Sequence, residues 1–373
     1  MQIHLITFDI PFPADYGGVI DVFYKLQALH DNGFQVILHC FQYGKRQPSE
    51  VLEQLATKVY YYKRSLSLKY FFTSKPFIVA SRNDKSLLDN LLQDESPILF
   101  EGIHSTFYIN HHKLANRKKI VRLHNVENQY YAQLAMMEKN WAKKIFFFSE
   151  SKKLKKYEKE IAYAKNIDFL AISDNDLRVF QEYGATKINT CLPFHPFTKV
   201  SSAEDCGDYV LFHGNLSIND NEQAALFLME TIFSKNEIPF IIAGKNPSNN
   251  LFEKVKHFSN INIVSNPSEA QMSELIAKAH INLLWSFQAE GIKLKLFYAL
   301  FQGKFVVANK NITNNLALND CVTIVENTNE IIVLLNELFI QKFDNQQFIK
   351  RKELLENWML MQRKVLFQAL QTI

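Results

Sequence analysis

Residues 290–309 read EGIKLKLFYALFQGKFVVAN, and this stretch decides the fold. Apolar side chains recur at helical spacing from Leu294 onward, and Gly303 ends that predicted helix. Apolar runs at 280–285 and 305–308 read as buried strands on either side of it. The stretch therefore predicts a unit of strand, loop, helix and strand, which is the building block of an α/β sheet.

The loop before this helix has the features of an anion site. A helix N-terminus offers unpaired backbone N–H groups and a partial positive charge. Gly291 lets a ligand approach the backbone, and Lys293 and Lys295 add two positive charges within the first turn. We predict a phosphate group here. A plain helix start with two solvated lysines is the alternative interpretation.

The same alternation of strands and helices fills the whole chain. Its 373 residues are enough for two domains, each with its own core. A polar stretch with prolines, residues 193–208, resembles a linker between two α/β halves. We therefore place the domains at 1–195 and 196–353.

Composition narrows the class of protein. Hydrophobic residues make up 47% and charged residues 21%, as in an ordinary globular protein. The net charge of +4 is too small to indicate a nucleic-acid partner. The four cysteines lack metal-type spacing, which favours reduced thiols in a cytoplasmic protein. We see no signal peptide and no apolar run long enough to span a membrane.

One tract suggests a membrane surface. Residues Lys143–Lys165 carry eight lysines, three glutamates and a run of three phenylalanines. A solvated helix with an inward apolar face is one interpretation. A basic surface that meets anionic lipid or a lipid-linked acceptor is the other.

Further motifs lie where predicted strands end, the edge at which open α/β sheets bind ligands. Gly17 and Gly18 follow the first strand, and residues 122–127 read RLHNVE between a strand and a helix. The second half repeats the pattern at His213-Gly214-Asn215, Ala243-Gly244-Lys245 and Val264-Ser265. The stretch 174–176 reads DND, a metal-type pattern that we interpret instead as a capped helix start.

Together these motifs resemble those of retaining glycosyltransferases with the GT-B fold, family 4. That family has Glu-Gly, then Glu-Ala seven residues later, then Gly before an apolar strand. Glu290, Gly291, Ala299 and Gly303 match, but Tyr298 stands where the family has its second glutamate, which usually holds the ribose. The resemblance implies two Rossmann-like domains facing across a cleft. It also implies that a C-terminal helix, residues 354–373, crosses back to the first domain.

The resemblance implies roles for particular residues. Catalytic roles fall to four of them: His124, Glu290, Lys293 and Lys295. Donor contacts fall to residues at strand ends and helix starts: Gly17, Gly18, Gly214, Asn215, Gly244, Lys245, Ser265, Gly291, Ile292, Leu294 and Tyr298. Arg122, Asn125 and Glu127 would lie on the acceptor side. No metal and no cofactor is expected besides the nucleotide sugar itself.

The predicted function is transfer of a hexose from a nucleotide sugar to a glycan or lipid-linked acceptor in surface polysaccharide biosynthesis. A nucleotide-sugar epimerase and a non-catalytic nucleotide-sugar-binding partner are the alternatives. Tyr298, and the lack of a basic residue soon after Gly214, favour the non-catalytic partner. A Rossmann oxidoreductase is disfavoured because no Gly-x-Gly-x-x-Gly follows a strand. We expect a cytoplasmic protein, or one at the inner face of the membrane.

Overall fold

The computed structural model describes residues 1–202, 206–288, 293–313 and 321–371. The chain divides into two compact units. Unit 1 is Met1–Pro196 with Met361–Ile373, and unit 2 is Phe197–Leu360. The sequence prediction had placed the division after residue 195 and the return to the first domain at residue 354.

Unit 1 is built on a parallel sheet of seven strands in the order β3-β2-β1-β4-β5-β6-β7. The strands are β1 (Gln2–Thr7), β2 (Gln35–Gln42), β3 (Lys58–Lys63), β4 (Ile98–Glu101), β5 (Lys119–Arg122), β6 (Ile167–Ala171) and β7 (Ile188–Thr190). Most of their residues are buried because helices cover both faces of a parallel sheet. The strand order reverses between β1 and β4, and such a switch point opens a crevice at the carboxyl ends of the strands.

Seven helices of unit 1 connect or flank these strands. They are α1 (Gly17–Asp31), α2 (Glu50–Leu55), α3 (Phe77–Ala80), α4 (Lys85–Leu91), α5 (Glu127–Met137), α6 (Trp141–Ala162) and α7 (Asp174–Glu182). The sequence pattern predicts a helical tract over about 127–165, and the structure divides this tract between α5 and α6. Glu138 takes an extended conformation that ends α5, and the Asn140 side chain accepts hydrogen bonds from the Ala142 and Lys143 amides to start α6.

Unit 2 has a parallel sheet of six strands in the order β10-β9-β8-β11-β12-β13. The strands are β8 (Val210–Asn215), β9 (Phe240–Lys245), β10 (Ile261–Ser265), β11 (Ile281–Leu284), β12 (Phe305–Ala308) and β13 (Thr323–Ile324). The helices are α8 (Asn219–Thr231), α9 (Asn249–Val255), α10 (Glu269–Lys278), α11 (Leu294–Gln302), α12 (Lys310–Thr313), α13 (Thr328–Phe339) and α14 (Asn345–Gln371). Residues 213–215, which the sequence analysis placed at the end of a strand, belong to β8 because they pair with residues 243–245 of β9.

Helix α11 is held by its apolar face. Leu296, Phe297, Leu300 and Phe301 are fully buried, and each contributes about 1.5–3 kcal/mol by leaving water. The ring of Phe297 stacks on Trp358 of α14, with ring centroids 5.3 Å apart. This packing fixes the start of α11, and with it the lysines of the first turn.

The last helix, α14, continues past unit 2. Its residues from Met361 onward belong to unit 1, where Leu366 and Leu370 join a buried apolar cluster under β1 and β2. None of the helices in the described part of the chain combines the length and the apolar character needed to cross a bilayer.

Candidate functional site

A buried cluster of charged side chains lies at the carboxyl end of β4 in unit 1. The Lys25 ammonium of α1 is 3.0 Å from Oδ2 of Asp21 and 2.8 Å from Oε1 of Glu101. All three side chains are buried, so each charge depends on its partners for stability. Burial by itself would raise the pKa of Glu101. The Lys25 charge and a hydrogen bond from His124 outweigh burial, so that this pKa is lowered.

His124 lies at the edge of this cluster, directly after β5. Its Nε2 atom is 2.9 Å from Oε2 of Glu101, and the side chain is 8% exposed. The Phe8 ring, at the end of β1, meets the imidazole edge-on at 5.2 Å. Gly102 turns away from β4 with φ of +68°, and a Cβ there would lie 3.6 Å from the imidazole. The predicted site histidine is therefore held on three sides.

Arg122 does not lie where the sequence suggested. Its guanidinium is buried, with Nε 3.2 Å from Oδ2 of Asp21 and one amino group 3.1 Å from the Leu192 carbonyl. A further hydrogen bond goes to the Cys191 carbonyl. Arg122 therefore cannot touch an acceptor directly. It supports Asp21 and the chain after β7, which corrects the acceptor-side assignment.

Glu127 is also buried, in the first turn of α5, while Asn125 is half-buried. Burial, followed by the nearby Glu158, raises the pKa of Glu127 to about 8, although a hydrogen bond from Asn125 opposes the shift. Nδ1 of His104 lies 3.9 Å from Oε1 of Glu127. Glu127 therefore lies inside unit 1 and is not a solvated charge at the start of the helix.

Three side chains of unit 1 offer metal-type ligand atoms close together. One atom each from Asp21, Glu101 and His124 lies within 4.8 Å of the others. The Lys25 ammonium is hydrogen-bonded to both carboxylates and fills the centre of this group. The residues present therefore fit an ammonium group better than a metal ion.

Gly17 and Gly18 open α1 and do not form the loop that we predicted. Gly17 is exposed, and a Cβ on Gly18 would come 2.8 Å from the end of the Phe8 ring. Glycine at position 18 therefore lets α1 approach β1. This closeness puts the unpaired N–H groups of the helix at the carboxyl edge of the sheet.

The motif at 174–176 is a capped helix start, as predicted. The Ser173 side chain accepts a hydrogen bond from the Asp176 amide at 3.1 Å, in the first turn of α7. Its hydroxyl donates to Oδ2 of Asp176 at 2.8 Å. Both groups therefore stabilise the helix N-terminus.

In unit 2, register brings the predicted donor residues to one sheet edge. Gly214 pairs with Gly244, Asn215 with Lys245, and Gly244 also with Ser265. A Cβ on Gly244 would come within 1.8 Å of the Gly214 carbonyl oxygen, so only glycine fits there. Asn215, Lys245 and Ser265 are exposed at this edge, where they are accessible to a ligand.

Lys295 reaches back under this edge from the first turn of α11. Its ammonium is 2.9 Å from Oδ1 of Asn221 and 3.2 Å from the Trp285 carbonyl, and 4.8 Å from the centre of the Phe212 ring. Burial lowers the pKa of Lys295 to about 7; nearby Asp220 opposes the shift, whereas Lys293 adds to it. Lys295 is therefore not the solvated lysine of the alternative interpretation.

The remaining predicted residues lie around the start of α11. Lys293 caps the helix with an extended backbone, and Leu294 is its half-buried first residue. Glu290, Gly291 and Ile292 lie outside the described residues, so their predicted roles stay predictions.

Asp220, which the sequence analysis did not single out, and His213 of the predicted strand-end motif also shape this edge. Asp220 accepts hydrogen bonds from the Ser286 hydroxyl at 2.7 Å and from the Phe287 amide at 2.9 Å. Asp220 thus fixes the chain after β11. His213 is buried, and burial, with the Lys295 charge, lowers its pKa to about 3, so the ring is neutral.

Tyr298 occupies a largely apolar setting. Its ring meets Phe197 edge-on at 4.8 Å and packs beside Leu211 and Ala243. A glutamate in this place would bring a carboxylate against apolar side chains, which is costly without a partner. The packing therefore suits the tyrosine that departs from the family pattern.

The sequence analysis did not single out several residues of these candidate sites: Asp21, Lys25, Glu101, His104 and Asp220. Glu101 carried a usable signal, because a charged residue ends an otherwise apolar strand at the ligand-binding edge. Asp21 and Lys25 carried another, because they are spaced i,i+4 on a helix whose neighbouring positions are apolar.

Comparison of the sequence with known proteins finds a distant relative but no matching family. No protein-family profile matches this chain. An uncharacterized 44.6 kDa protein in the cps region of Klebsiella pneumoniae is 25% identical over 324 residues, which cover 82% of each chain.

Solved structures match over nearly the whole chain. Sucrose-phosphate synthase from Thermosynechococcus elongatus has a TM-score of 0.67 and 11% identity, with 99% of this chain and 98% of that one covered. The lipopolysaccharide outer core galactosyltransferase WaaB gives 0.64 and 14%, covering 99% of each. HepE from Anabaena, in complex with UDP and glucose, gives 0.61 and 12%, covering 98% and 95%. The chain has the GT-B fold of two Rossmann-like domains, as predicted.

Proposed function

We propose that this protein is a retaining glycosyltransferase that moves a hexose from a nucleotide sugar to a glycan or lipid-linked acceptor. The observation that carries the proposal is the full-length likeness in fold to solved proteins that include a galactosyltransferase and a structure holding UDP and glucose. A relative in a cps region supports a setting in capsule or other surface polysaccharide synthesis.

Unit 2 is the proposed donor side. The glycine at 244 lets β8 and β9 approach closely at the sheet edge, and α11 begins with Lys293 and Lys295. When the sugar leaves, charge develops on the diphosphate while the sugar becomes oxocarbenium-like. A preset ammonium and helix N–H groups stabilise that charge without reorganising. Lys295, already held by Asn221, is suited to this role.

Unit 1 is the proposed side for the acceptor and the reacting sugar. His124 is held by Glu101 and Phe8 and keeps part of its ring exposed. The exposed N-terminus of α1 at Gly17 offers further N–H groups at the same sheet edge. In this proposal these groups supply hydrogen bonds to sugar hydroxyls.

A nucleotide panel tests the donor side. We expect UDP, GDP, ADP or dTDP, alone or with its sugars, to raise the melting temperature, since binding at ~100 times the dissociation constant adds roughly 2.7 kcal/mol. The shift should vanish in Lys295→Met and persist in Lys256→Met, which removes an exposed lysine of the same unit. Absence of a shift with every nucleotide and sugar would contradict the proposal.

A non-catalytic nucleotide-sugar-binding partner is the second candidate, favoured by the apolar setting of Tyr298. Such a protein would show the thermal shift without any turnover. An epimerase would turn over the donor without releasing nucleoside diphosphate.

We also propose contact with anionic lipid, through the beginning of the Lys143–Lys165 tract together with a second segment of unit 1. In the second half of the 143–165 tract the apolar face is packed inward, with Leu154, Tyr157 and Ile161 buried, and most of the exposed residues are charged. By contrast, residues 141–145 are all exposed. The segment 66–72 lies against this helix, because the Phe71 ring is 5.1 Å from that of Phe146.

Together these two segments form an apolar–basic surface of unit 1. It consists of exposed Leu66, Leu68, Phe72, Trp141, Ile145 and Phe148, with Lys69, Lys143 and Lys144 among them. Phe72 is 90% and Trp141 75% exposed. Aromatic and aliphatic side chains interspersed with lysines match the chemistry of an anionic bilayer surface. A lipid-linked acceptor would lie in such a bilayer, so this contact would bring unit 1 to its acceptor.

Vesicle co-sedimentation tests this surface. We expect binding to vesicles rich in phosphatidylglycerol, weakened by salt, and little binding to phosphatidylcholine alone. The double change Phe72→Ser with Trp141→Ser should abolish it. Ile340→Ser, at an 88% exposed isoleucine of unit 2, is the matched control and should bind normally. Equal binding by both variants would contradict the lipid contact.

A further inference from the structure

The hydrogen bond between His124 and Glu101 gives the imidazole a defined tautomer. Nε2 of His124 lies 2.9 Å from Oε2 of Glu101. An ionised carboxylate can only accept hydrogen bonds. Glu101 is kept ionised by the Lys25 ammonium, which lies 2.8 and 3.0 Å from its two oxygens. The proton therefore lies on Nε2, and the neutral ring has its lone pair on Nδ1.

The ring is also fixed in orientation. Phe8 packs edge-on against it, with an angle of 82° between the two ring planes. Gly102 lies beside the Cδ2 side of the ring, where a Cβ would stand at a contact distance of 3.6 Å. Nδ1 has no hydrogen-bond partner among the described residues, and the ring keeps a small exposed area. Nδ1 is thus the polar atom left for a ligand.

We propose that Glu101 is a positioning residue, which holds His124 as the Nε2–H tautomer so that Nδ1 accepts a hydrogen bond from a substrate hydroxyl. The hydroxyl belongs to the donor sugar or the acceptor, so this part rests on the proposed function; the tautomer does not. Lys25 completes the arrangement by neutralising Glu101, and Asp21 in turn binds Lys25.

The ring nitrogens of protein labelled with ¹⁵N-histidine report the tautomer directly. His124→Asn identifies the signals. In the wild type above pH 8 we expect a protonated Nε2 and an unprotonated Nδ1. In Glu101→Gln the amide can donate to Nε2, so the Nδ1–H form should appear. Turnover should fall about a hundredfold in kcat, while the KM for the donor changes less than threefold.

A matched control separates this effect from the loss of any buried carboxylate. Glu150 is equally buried in unit 1 and is 2.8 Å from Lys153, without a histidine partner. Glu150→Gln should leave both the His124 signals and the turnover unchanged.

Wild-type protein with its proton on Nδ1 would overturn the assignment, even if Glu101→Gln failed to fold. Unchanged ring signals in a folded Glu101→Gln variant would overturn it as well. The expected tautomers without any measurable transfer would support the role of Glu101 in the site and count against the proposed function alone.

Discussion

The ammonium of Lys295 lies 4.8 Å from the centre of the Phe212 ring, in a place where burial lowers its pKa to about 7. Because of this lowered pKa, the ammonium loses its proton more readily than that of an exposed lysine. A bound diphosphate would favour the charged form, so that ligand binding and protonation of Lys295 are coupled. This coupling makes the proposed donor site testable through pH.

Donor affinity should weaken as pH rises above 7. Above that value the free protein must take up a proton at Lys295 to bind, so the Kd of the nucleotide sugar should rise roughly tenfold between pH 7 and 8.5. Titration calorimetry in two buffers of different ionisation enthalpy measures the number of protons taken up on binding. Lys295→Met should bind weakly at every pH, and a pH-independent Kd in the wild type would contradict the role of Lys295.

Because of Lys295, the free energy of unfolding should rise with pH, whereas a salt-bridged lysine makes it fall. Its folded-state pKa is lowered, so the unfolded chain binds more protons between about pH 7 and 10, and stability rises with pH there. Lys295→Met should lack that rise, a difference on the order of 1–3 kcal/mol across the window. Urea unfolding at pH 7 and 9.5 measures this difference. The same change in stability with pH in the wild type and the variant would contradict the lowered pKa of Lys295.

Glu127 should make unit 1 less stable as pH rises. Its folded-state pKa, raised to about 8 by burial and by Glu158, means that the folded chain binds more protons than the unfolded one between about pH 4.5 and 8. Stability therefore falls across that window. Glu127→Gln should remove a loss on the order of 2 kcal/mol, as measured by hydrogen exchange of the β5 and α5 amides at pH 5.5 and 8.5. Exposed Glu160→Gln should behave as the wild type.

The close approach of β8 and β9 should make Gly244 sensitive to substitution. A Cβ there would clash with the Gly214 carbonyl at 1.8 Å, so Gly244→Ala must move backbone and should cost about 2–4 kcal/mol. Gly214→Ala would meet only the Asn221 side chain at 3.1 Å and should cost much less. Unfolding followed by the fluorescence of Trp285 and Trp358 compares the two. Equal stability of both variants would contradict the described register.

Local sequence patterns correctly predicted the positions of individual strands and helices. Strand β12, Phe305–Ala308, lies where its apolar run placed it, and α11 ends at the residue before Gly303. The gathering of Gly214 and Gly244 at one edge was also predictable, because parallel strands that end together bring their ends together. These features depend on near neighbours in sequence and on the rules of parallel sheets.

The charged interior of unit 1 could not be predicted in the same way. Glu101 and Lys25 are 76 residues apart in the chain, and only the pairing of β1 with β4 brings the sheet edge against α1. The resemblance placed Arg122 on the acceptor side, yet Asp21 and two carbonyls bind its side chain inside unit 1. Whether such a charged side chain is buried depends on the partners that the tertiary structure brings to it.

The break between α5 and α6 shows a smaller limit. Residues 137–140 contain no proline or glycine, so the helical pattern seemed to continue. The extended backbone of Glu138 ends α5, and the Asn140 side chain starts α6 by accepting hydrogen bonds from its first amides. A competing side-chain hydrogen bond of this kind is weakly marked in sequence.

The central claim is sugar transfer, and acceptor-independent hydrolysis of a nucleotide sugar tests it most directly. We would follow the anomeric proton by NMR at saturating donor, in the wild type and in Lys295→Met. The account predicts slow release of nucleoside diphosphate and of free sugar that first has the anomeric configuration of the donor, with loss of both in the variant. Tight binding of the nucleotide sugar with no hydrolysis, with or without added glycan and lipid acceptors, would contradict it and leave a non-catalytic binding protein.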